Sequence, residues 1–126
     1  MLASANGAIG WVQVGTADPA GAKRFYGELL GWTFQPDPDG GGAYDLITFP
    51  GGKGFGGGIM DTKGESPNHA IFLAVVGDVP GVVAAAERLG GKVLVAPTTA
   101  PNGLVFADLL DPSGNHFGIF SPPQAG

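Results

Sequence analysis

The chain contains no cysteine among its 126 residues, which excludes a disulfide framework, a thiolate nucleophile and a thiolate metal site. It also has only six lysine and arginine residues against eleven aspartate and glutamate residues, so its formal net charge is −5. The six basic residues are scattered along the sequence and form no basic stripe. Since nucleic-acid binding depends on clustered positive charge, we predict a small-molecule ligand as the partner and no nucleic acid.

Long apolar runs are also missing, and no stretch approaches the length of a membrane span, so we expect no membrane partner. The first residues lack a basic start followed by an apolar stretch, from which we predict no secretion signal and a cytoplasmic location. The 24 glycines and 11 prolines indicate many turns, but a hydrophobic content of 44% is too high for disorder. This length and composition predict a single domain over residues 1–126.

An internal repeat at an offset of 60 residues is the most informative feature of the sequence. The segment that begins at Asp18 aligns without gaps with the segment that begins at Asp78, and the same offset places Gly58 on Gly118. A register that stays constant along a whole module indicates duplication of one supersecondary unit rather than a solenoid. The expected parts are module one at about residues 8–60, a linker at 61–67 and module two at about 68–120.

Each copy has the pattern of one strand, one helix and three further strands, which predicts an α+β protein built from two tandem βαβββ modules. Asp18 and Asp78 are placed as helix N-caps, and glycines at 31 and at 90–91 are suitable helix stops. Apolar residues between these signals recur at spacings of three and four, which predicts one buried face on each helix. In the first helix these residues are Ala22, Phe25, Tyr26 and Leu29.

Four segments, FYGELLGWTF, GGIMD, RLGGKVLVAP and DPSGNHFGIF, together resemble the vicinal oxygen chelate superfamily. This superfamily includes glyoxalase I, extradiol dioxygenases and bleomycin-resistance proteins. The resemblance covers nearly the whole chain, from about residue 9 to residue 120. It implies paired βαβββ modules whose curved mixed sheets enclose a cavity, with the helices outside. It also implies a homodimer, because many members are dimers.

Metal-dependent members of that superfamily hold an ion with two positions in each module, one on the first strand and one on the last. The resemblance places these positions at Trp11, Gly58, Ile71 and Gly118. None of these four side chains can coordinate a metal ion. We therefore predict no metal and no other cofactor, and we disfavour metal-dependent chemistry of the glyoxalase type.

The two histidines of the chain, His69 and His116, each precede one of these positions by two residues and therefore share its face of the strand. A displaced metal site formed by both histidines and Gln13 is one interpretation. Such a site would lack a carboxylate, since we expect none on the cavity-facing stretches, and two imidazoles with an amide hold a divalent ion poorly. We favour histidines that line a pocket and form hydrogen bonds.

Strand alternation selects the candidate binding residues, because it places Val12 and Val14 towards the helix and their odd-numbered neighbours on the opposite face. Glycines at 56–58 and at 118 remove bulk from the strands of the expected cavity, which favours a pocket over a plug of aromatic side chains. The predicted ligand-binding residues are Trp11, Gln13, His69, Ile71, Leu73, His116 and Phe120.

Three kinds of function are compatible with these residues. The first is a metal-free protein that binds a small, partly apolar or aromatic metabolite or antibiotic. The second is a lyase, isomerase or dioxygenase-type enzyme that uses a displaced metal site or acid–base chemistry at Gln13, His69 or His116. The third is a regulatory subunit with a vestigial cavity. Asp45 and Asp108 are general-base candidates if they face inward, although a solvent-facing aspartate is commoner on a strand.

Overall fold

The computed structural model describes residues 6–52 and 56–123, which form two helices and eight strands. The elements are β1 (Ile9–Thr16), α1 (Pro19–Leu30), β2 (Thr33–Pro36), β3 (Tyr44–Thr48), β4 (Gly56–Asp61), β5 (His69–Val75), α2 (Val79–Arg88), β6 (Lys92–Thr99), β7 (Val105–Leu110) and β8 (His116–Ser121). The predicted α+β class and the twofold βαβββ order are confirmed. In these two ranges, neither helix is long and apolar enough to cross a membrane.

The chain divides into two compact units, which we call the N-terminal unit (residues 11–70) and the C-terminal unit (residues 6–10 and 71–123). In the N-terminal unit the strand order is β2-β3-β4-β1, with β1 parallel to β4 and the other neighbours antiparallel. In the C-terminal unit the corresponding order is β6-β7-β8-β5, again with the first strand of the unit, β5, parallel to the last, β8, and the other neighbours antiparallel. The same order and directions in both units fit the repeat of 60 residues in the sequence. The module boundaries stay a prediction.

Both helices begin at the aspartates that the sequence indicates. Asp18 Oδ1 accepts a hydrogen bond from the backbone N–H of Gly21 (3.0 Å), and Asp78 Oδ1 accepts one from Gly81 (3.1 Å). Each bond satisfies a backbone donor that has no partner inside the helix. Helix α1 ends at Gly31, whose φ of 77° lies in the left-handed region that glycine adopts at low cost.

The core of the C-terminal unit lies between α2 and its sheet. Helix α2 contributes Val79 and Val83, and the central strand β7 contributes Ala107 and Leu109, which are both completely buried. Because β7 alternates strictly, its even-numbered residues lie on the sheet face that points away from α2. The whole buried cluster is Val76, Val79, Val83, Ala107, Leu109 and Ile119.

The buried face predicted for α1 is wrong in part, because the helix has no fully buried residue. Tyr26 is half-buried and stacks on Trp32 with ring centroids 4.8 Å apart, whereas Phe25 and Leu29 are 59% and 63% exposed. The reason is helix geometry. Residues 22 and 26 form one row along the helix and residues 25 and 29 form the next, and only the first row turns towards the sheet.

Candidate functional site

Four side chains in the N-terminal unit form a continuous line of hydrogen bonds, which we call the Trp–Tyr–Gln–His chain. Trp11 Nε1–H donates to the Tyr44 hydroxyl (2.8 Å), and that hydroxyl donates to Gln13 Oε1 (3.1 Å). Gln13 Nε2 lies 3.1 Å from His69 Nε2, and His69 Nδ1 lies 3.2 Å from the carbonyl oxygen of Pro67. Strand β1 supplies Trp11 and Gln13, β3 supplies Tyr44, and β5 begins at His69.

With a neutral imidazole at His69, the two ends of this chain determine the direction of every bond in it. The indole N–H of Trp11 can only donate, and the carbonyl oxygen of Pro67 can only accept. His69 therefore carries its proton on Nδ1, and its Nε2 accepts a hydrogen bond from the Gln13 amide, an assignment that rests on the hydrogen-bond network. The amide in turn presents its oxygen to Tyr44. The structure thus holds the four side chains in one defined arrangement.

Glycines in β1 and β4 make room for these rings. A Cβ atom at Gly56 would lie 2.6 Å from the Trp11 ring, one at Gly58 would overlap the Tyr44 ring, and one at Gly15 would overlap the His69 imidazole. The interpretation that the glycines at 56–58 leave space for a ligand is therefore wrong at Gly56 and Gly58. The protein's own aromatic side chains occupy that space, because Trp11 pairs directly with Gly56 and Tyr44 lies two positions before Leu46, the β3 residue that pairs with Gly58.

The C-terminal unit holds a second polar pair, formed by His116 of β8 and Asp108 of β7. His116 Nε2–H donates to Asp108 Oδ2 at 2.8 Å, and both side chains are largely buried. The expectation of no carboxylate on the stretches around the histidines is therefore wrong. Since Ala107 and Leu109 are buried against α2, alternation alone would have placed Asp108 on the opposite face beside His116.

The other aspartate candidate, Asp45, does not belong to either polar site. Asp45 forms an ion pair with Lys23 of α1, so it lies on the helix-facing side of the sheet. This position excludes it from the face that carries Tyr44, its neighbour on β3. Asp45 therefore connects α1 to β3 through its ion pair with Lys23. It does not face inward, which was the condition for its role as a general base.

The remaining candidates lie in the C-terminal unit. Ile71 and Leu73 are buried, and Phe120 is half-buried. The Leu73 side chain covers Gly118, where a Cβ atom would lie 2.6 Å from Leu73 Cγ. At Gly118, too, the missing side chain makes room for a neighbour within the unit. The structure thus joins Trp11, Gln13 and His69 in one unit and places the other four candidates in the second.

The superfamily's four metal positions do not fit a divalent ion. Trp11 offers an N–H donor without a lone pair, and Ile71 is apolar. Gly58 and Gly118 have no side chain, and the rings and methyl groups of Tyr44 and Leu73 cover them. Across residues 6–52 and 56–123, no three histidine, aspartate or glutamate side chains lie close enough together to hold a metal ion.

Two βαβββ units, each with a hydrogen-bonded group of side chains on the sheet face away from the helix, define a protein of the vicinal oxygen chelate type. The comparison with known families gives the same result. A sequence model described as the glyoxalase-like domain matches residues 11–120, and the chain belongs to this family. The resemblance stated from the sequence is therefore confirmed.

Several curated proteins are similar in sequence to this chain. The anthracycline biosynthesis protein DauV of Streptomyces sp. (strain C5) is 33% identical over 120 residues, which are 94% of this chain and 43% of DauV. CFP32 of Mycobacterium tuberculosis (strain CDC 1551 / Oshkosh), a provisional glyoxylase by name, is 30% identical over 90% of this chain and 45% of its own length. The chain thus spans less than half the length of these relatives.

Solved structures with this fold include two enzymes. Methylmalonyl-CoA epimerase from Mycobacterium tuberculosis aligns with a TM-score of 0.62 at 15% identity, over 98% of this chain and 94% of the epimerase chain. The Mn(II)-bound glyoxalase from Novosphingobium aromaticivorans aligns with a TM-score of 0.58 at 20% identity, over 94% of this chain and 40% of the glyoxalase chain. At such identities the likeness shows a shared fold alone.

Proposed function

We propose that this chain is a glyoxalase-like binding domain for a small, flat, partly aromatic molecule, which stacks on Trp11 beside the polar groups of Gln13 and His69. The single observation that carries this proposal is the Trp–Tyr–Gln–His chain, in which the indole of Trp11 is held by the Tyr44 hydroxyl at 2.8 Å. This arrangement combines an aromatic surface with amide and imidazole groups at one end. Sites for small aromatic ligands commonly have this composition.

The defined arrangement of the chain favours binding energetically. A side chain that must be ordered when a ligand arrives costs about 0.5–1.5 kcal/mol of the binding free energy. Trp11 and Gln13 are already held by hydrogen bonds to Tyr44 and His69. Most of the entropy of ordering these two side chains is therefore lost when the protein folds and not when the ligand binds. A ligand therefore meets a rigid aromatic face, and the free energy of stacking contributes almost fully to its affinity.

The curated relatives support the same class of ligand. Two of them are named for anthracycline biosynthesis, DauV at 33% identity and DnrV of Streptomyces peucetius at 32% identity. Anthracyclines are flat polycyclic aromatic compounds. The chain spans less than half of either relative. The names therefore support a ligand class for this domain and do not identify a reaction that it catalyses.

Titration of the protein with anthracycline aglycones and smaller anthraquinones tests the proposal by tryptophan fluorescence and calorimetry. The sequence has two tryptophans. The second, Trp32, stacks on Tyr26 of α1 and does not belong to the Trp–Tyr–Gln–His chain. The variant Trp32→Phe therefore leaves Trp11 as the fluorophore and is expected to bind with unchanged affinity. We expect Trp11→Ala to weaken binding about 10-fold, since stacking on an aromatic ring is worth about 0.5–1.5 kcal/mol, the lost apolar contact area adds to it, and about 1.4 kcal/mol corresponds to a factor of 10.

Equal affinity of Trp11→Ala and Trp32→Phe would contradict the proposed position of the ligand. Absence of binding by every flat aromatic probe at millimolar concentration would contradict the ligand class. The predicted contacts of Ile71, Leu73, His116 and Phe120 belong to the C-terminal unit and stay a prediction. Leu73→Ala measured in the same titration tests them, with an expected loss of affinity.

A second function is favoured by the pair of His116 and Asp108. A histidine whose Nε2–H is held at 2.8 Å by a carboxylate is a common arrangement in general acid–base catalysis. Under this alternative the domain is a metal-free lyase or isomerase that transfers a proton at a carbon next to a carbonyl group.

Exchange of ligand protons with deuterated water, followed by NMR, tests the enzyme alternative. We expect a C–H group of the bound ligand to exchange in the presence of the protein, and His116→Gln to slow that exchange by about 100-fold or more. Asp108→Asn should slow the exchange as well, because it removes the carboxylate that holds the His116 ring. Exchange at the same rate in His116→Gln would exclude the histidine as the acid or base.

A further inference from the structure

The side-chain amide of Gln13 uses only half of its hydrogen-bonding capacity within the Trp–Tyr–Gln–His chain. Its oxygen can accept two hydrogen bonds, and its NH2 group can donate two. The oxygen accepts one bond from the Tyr44 hydroxyl (3.1 Å), and the NH2 group donates one to His69 Nε2 (3.1 Å). Across residues 6–52 and 56–123 the amide has no other hydrogen-bond partner. One donor and one acceptor therefore remain for another molecule.

The two partners of this amide approach it from different directions, close to the surface of the sheet. A Cβ atom at Gly58, the β4 residue that pairs with Gln13, would overlap the Tyr44 hydroxyl, so Tyr44 lies over the neighbouring strand. A Cβ atom at Gly15 would overlap the His69 imidazole, so His69 lies over β1 itself. Both partners therefore lie at the height of a Cβ atom, whereas the amide begins at the third carbon of the Gln13 side chain.

This geometry leaves one edge of the planar amide for a ligand. In any such amide, one N–H and one oxygen lone pair lie on the side of the attached carbon, and the other two lie side by side on the opposite edge. Partners that approach from different directions near the sheet take the two positions on the side of the attached carbon. The remaining N–H and lone pair of Gln13 then form one donor–acceptor edge that points away from the sheet.

The sheet face around this edge favours a neutral ligand. The strand pairs place on this face the odd-numbered residues of β1 and β2 and the even-numbered residues of β3 and β4, and none of these is lysine, arginine, aspartate or glutamate. The charged residues of these four strands, Asp45 and Asp61, lie on the opposite face, where Asp45 pairs with Lys23. A charged ligand group would lose hydration on the face of Gln13 without gaining an ion pair.

We infer that the ligand is a neutral, flat heterocycle with a hydrogen-bond donor and an acceptor on neighbouring atoms of one edge, which pairs with the remaining edge of Gln13. Cyclic amides and amino-substituted nitrogen heterocycles have this pattern, and a glutamine amide recognises it by two parallel hydrogen bonds. A carboxylate or a quinone offers acceptors alone and would form only one of the two bonds. This inference rests on the proposed function, because it assumes that the ligand stacks on Trp11.

Trp11 and Gln13 are placed to act on one molecule together. They lie two residues apart on the same face of β1, which is about 7 Å along an extended strand, so fused rings that stack on the indole reach the amide. The Tyr44 hydroxyl bonds to both side chains and fixes their relative position. Gln13 is therefore the residue that determines specificity, since a ligand that lacks the donor leaves a polar group of the site unpaired.

Calorimetric titration with two matched pairs of probes tests the inference. The cyclic amide carbostyril is compared with the lactone coumarin, in which an oxygen atom replaces the N–H group. Adenine is compared with purine, which lacks the amino group. We expect carbostyril or adenine to bind about 10-fold more tightly than its matched probe, and the preferred pair distinguishes a cyclic amide from an amino heterocycle. N-methylcarbostyril should bind as weakly as coumarin.

The variant Gln13→Met assigns this preference to a residue. Methionine has nearly the same length and shape but cannot form the two hydrogen bonds, so the members of each pair should bind with equal affinity. Gln35→Met is the matched control, because Gln35 is an exposed glutamine on β2 on the same face of the sheet, outside the Trp–Tyr–Gln–His chain. It should keep the wild-type preference. Thermal unfolding checks that both variants are folded, and the comparison of probes on the wild-type protein does not depend on them.

Equal affinity of the wild-type protein for the two members of both pairs would overturn the inference. So would a preference that survives in Gln13→Met, or anthraquinones that bind while carbostyril and adenine do not. These results would leave an aromatic ligand at Trp11 in place. Absence of binding by the anthraquinones and by all the heterocycles would instead overturn the proposed function, and the inference with it.

Discussion

Leu109→Ala is expected to lower the free energy of unfolding by about 2–5 kcal/mol, the usual cost of truncating a buried leucine. Leu109 is completely buried in the middle of the C-terminal core, where it packs with Val79 and Val83 of α2. The neighbouring β-strands cannot close the space because they are held in register by backbone hydrogen bonds. A small domain has only about 5–15 kcal/mol of stability, so this variant loses a large fraction of it.

Chemical denaturation of both the wild type and the variant measures this loss, as a shift of the midpoint at constant slope. The matched control is Leu89→Ala, which makes the same chemical change at a side chain that is 78% exposed. It should alter the free energy of unfolding by no more than about 0.5 kcal/mol. A loss below about 1 kcal/mol for Leu109→Ala would show that the core is packed differently from the structure.

Gly58→Ala is expected to destabilise the protein by about 1–3 kcal/mol and to weaken the binding of aromatic ligands. An ordinary glycine-to-alanine change can stabilise a chain by about 0.4–1 kcal/mol through the unfolded state. At Gly58 the added Cβ overlaps the Tyr44 ring, and the ring cannot move without losing its bonds to Trp11 and Gln13. Steric overlap and lost hydrogen bonds therefore outweigh the entropic gain.

A double-mutant cycle with Tyr44→Ala isolates this effect. Once the Tyr44 ring is removed, Gly58→Ala should be neutral or slightly stabilising, because the three atoms nearest to the new methyl group all belong to that ring and its hydroxyl. Gly77→Ala is the control, since a Cβ atom at that exposed glycine has no neighbour within 4 Å. Additive effects of Gly58→Ala and Tyr44→Ala would contradict the contact between the two residues and, with it, the Trp–Tyr–Gln–His chain.

Much of the fold could be predicted because its signals are local. The caps at Asp18 and Asp78, the stop at Gly31 and the alternation of the strands all depend on residues within a few positions of one another. Alternation also predicts the position of Asp108, because Ala107 and Leu109 on either side of it are apolar and face α2. The apolar row of Phe25 and Leu29 could not be assigned in this way, because periodicity shows which residues share a face and leaves open what that face contacts.

The sequence by itself determined the order of the elements, their repetition at 60 residues, the family and the lack of side chains suited to its metal positions. Only the tertiary structure decided what fills the space over the glycines. Gly58 and Gly118 look alike in the sequence, but the first lies under Tyr44 and the second under Leu73. Such contacts join residues that are distant along the chain, and strand register together with side-chain packing decides them. The composition of a segment therefore cannot reveal whether its glycines leave a pocket or make room for a neighbouring side chain.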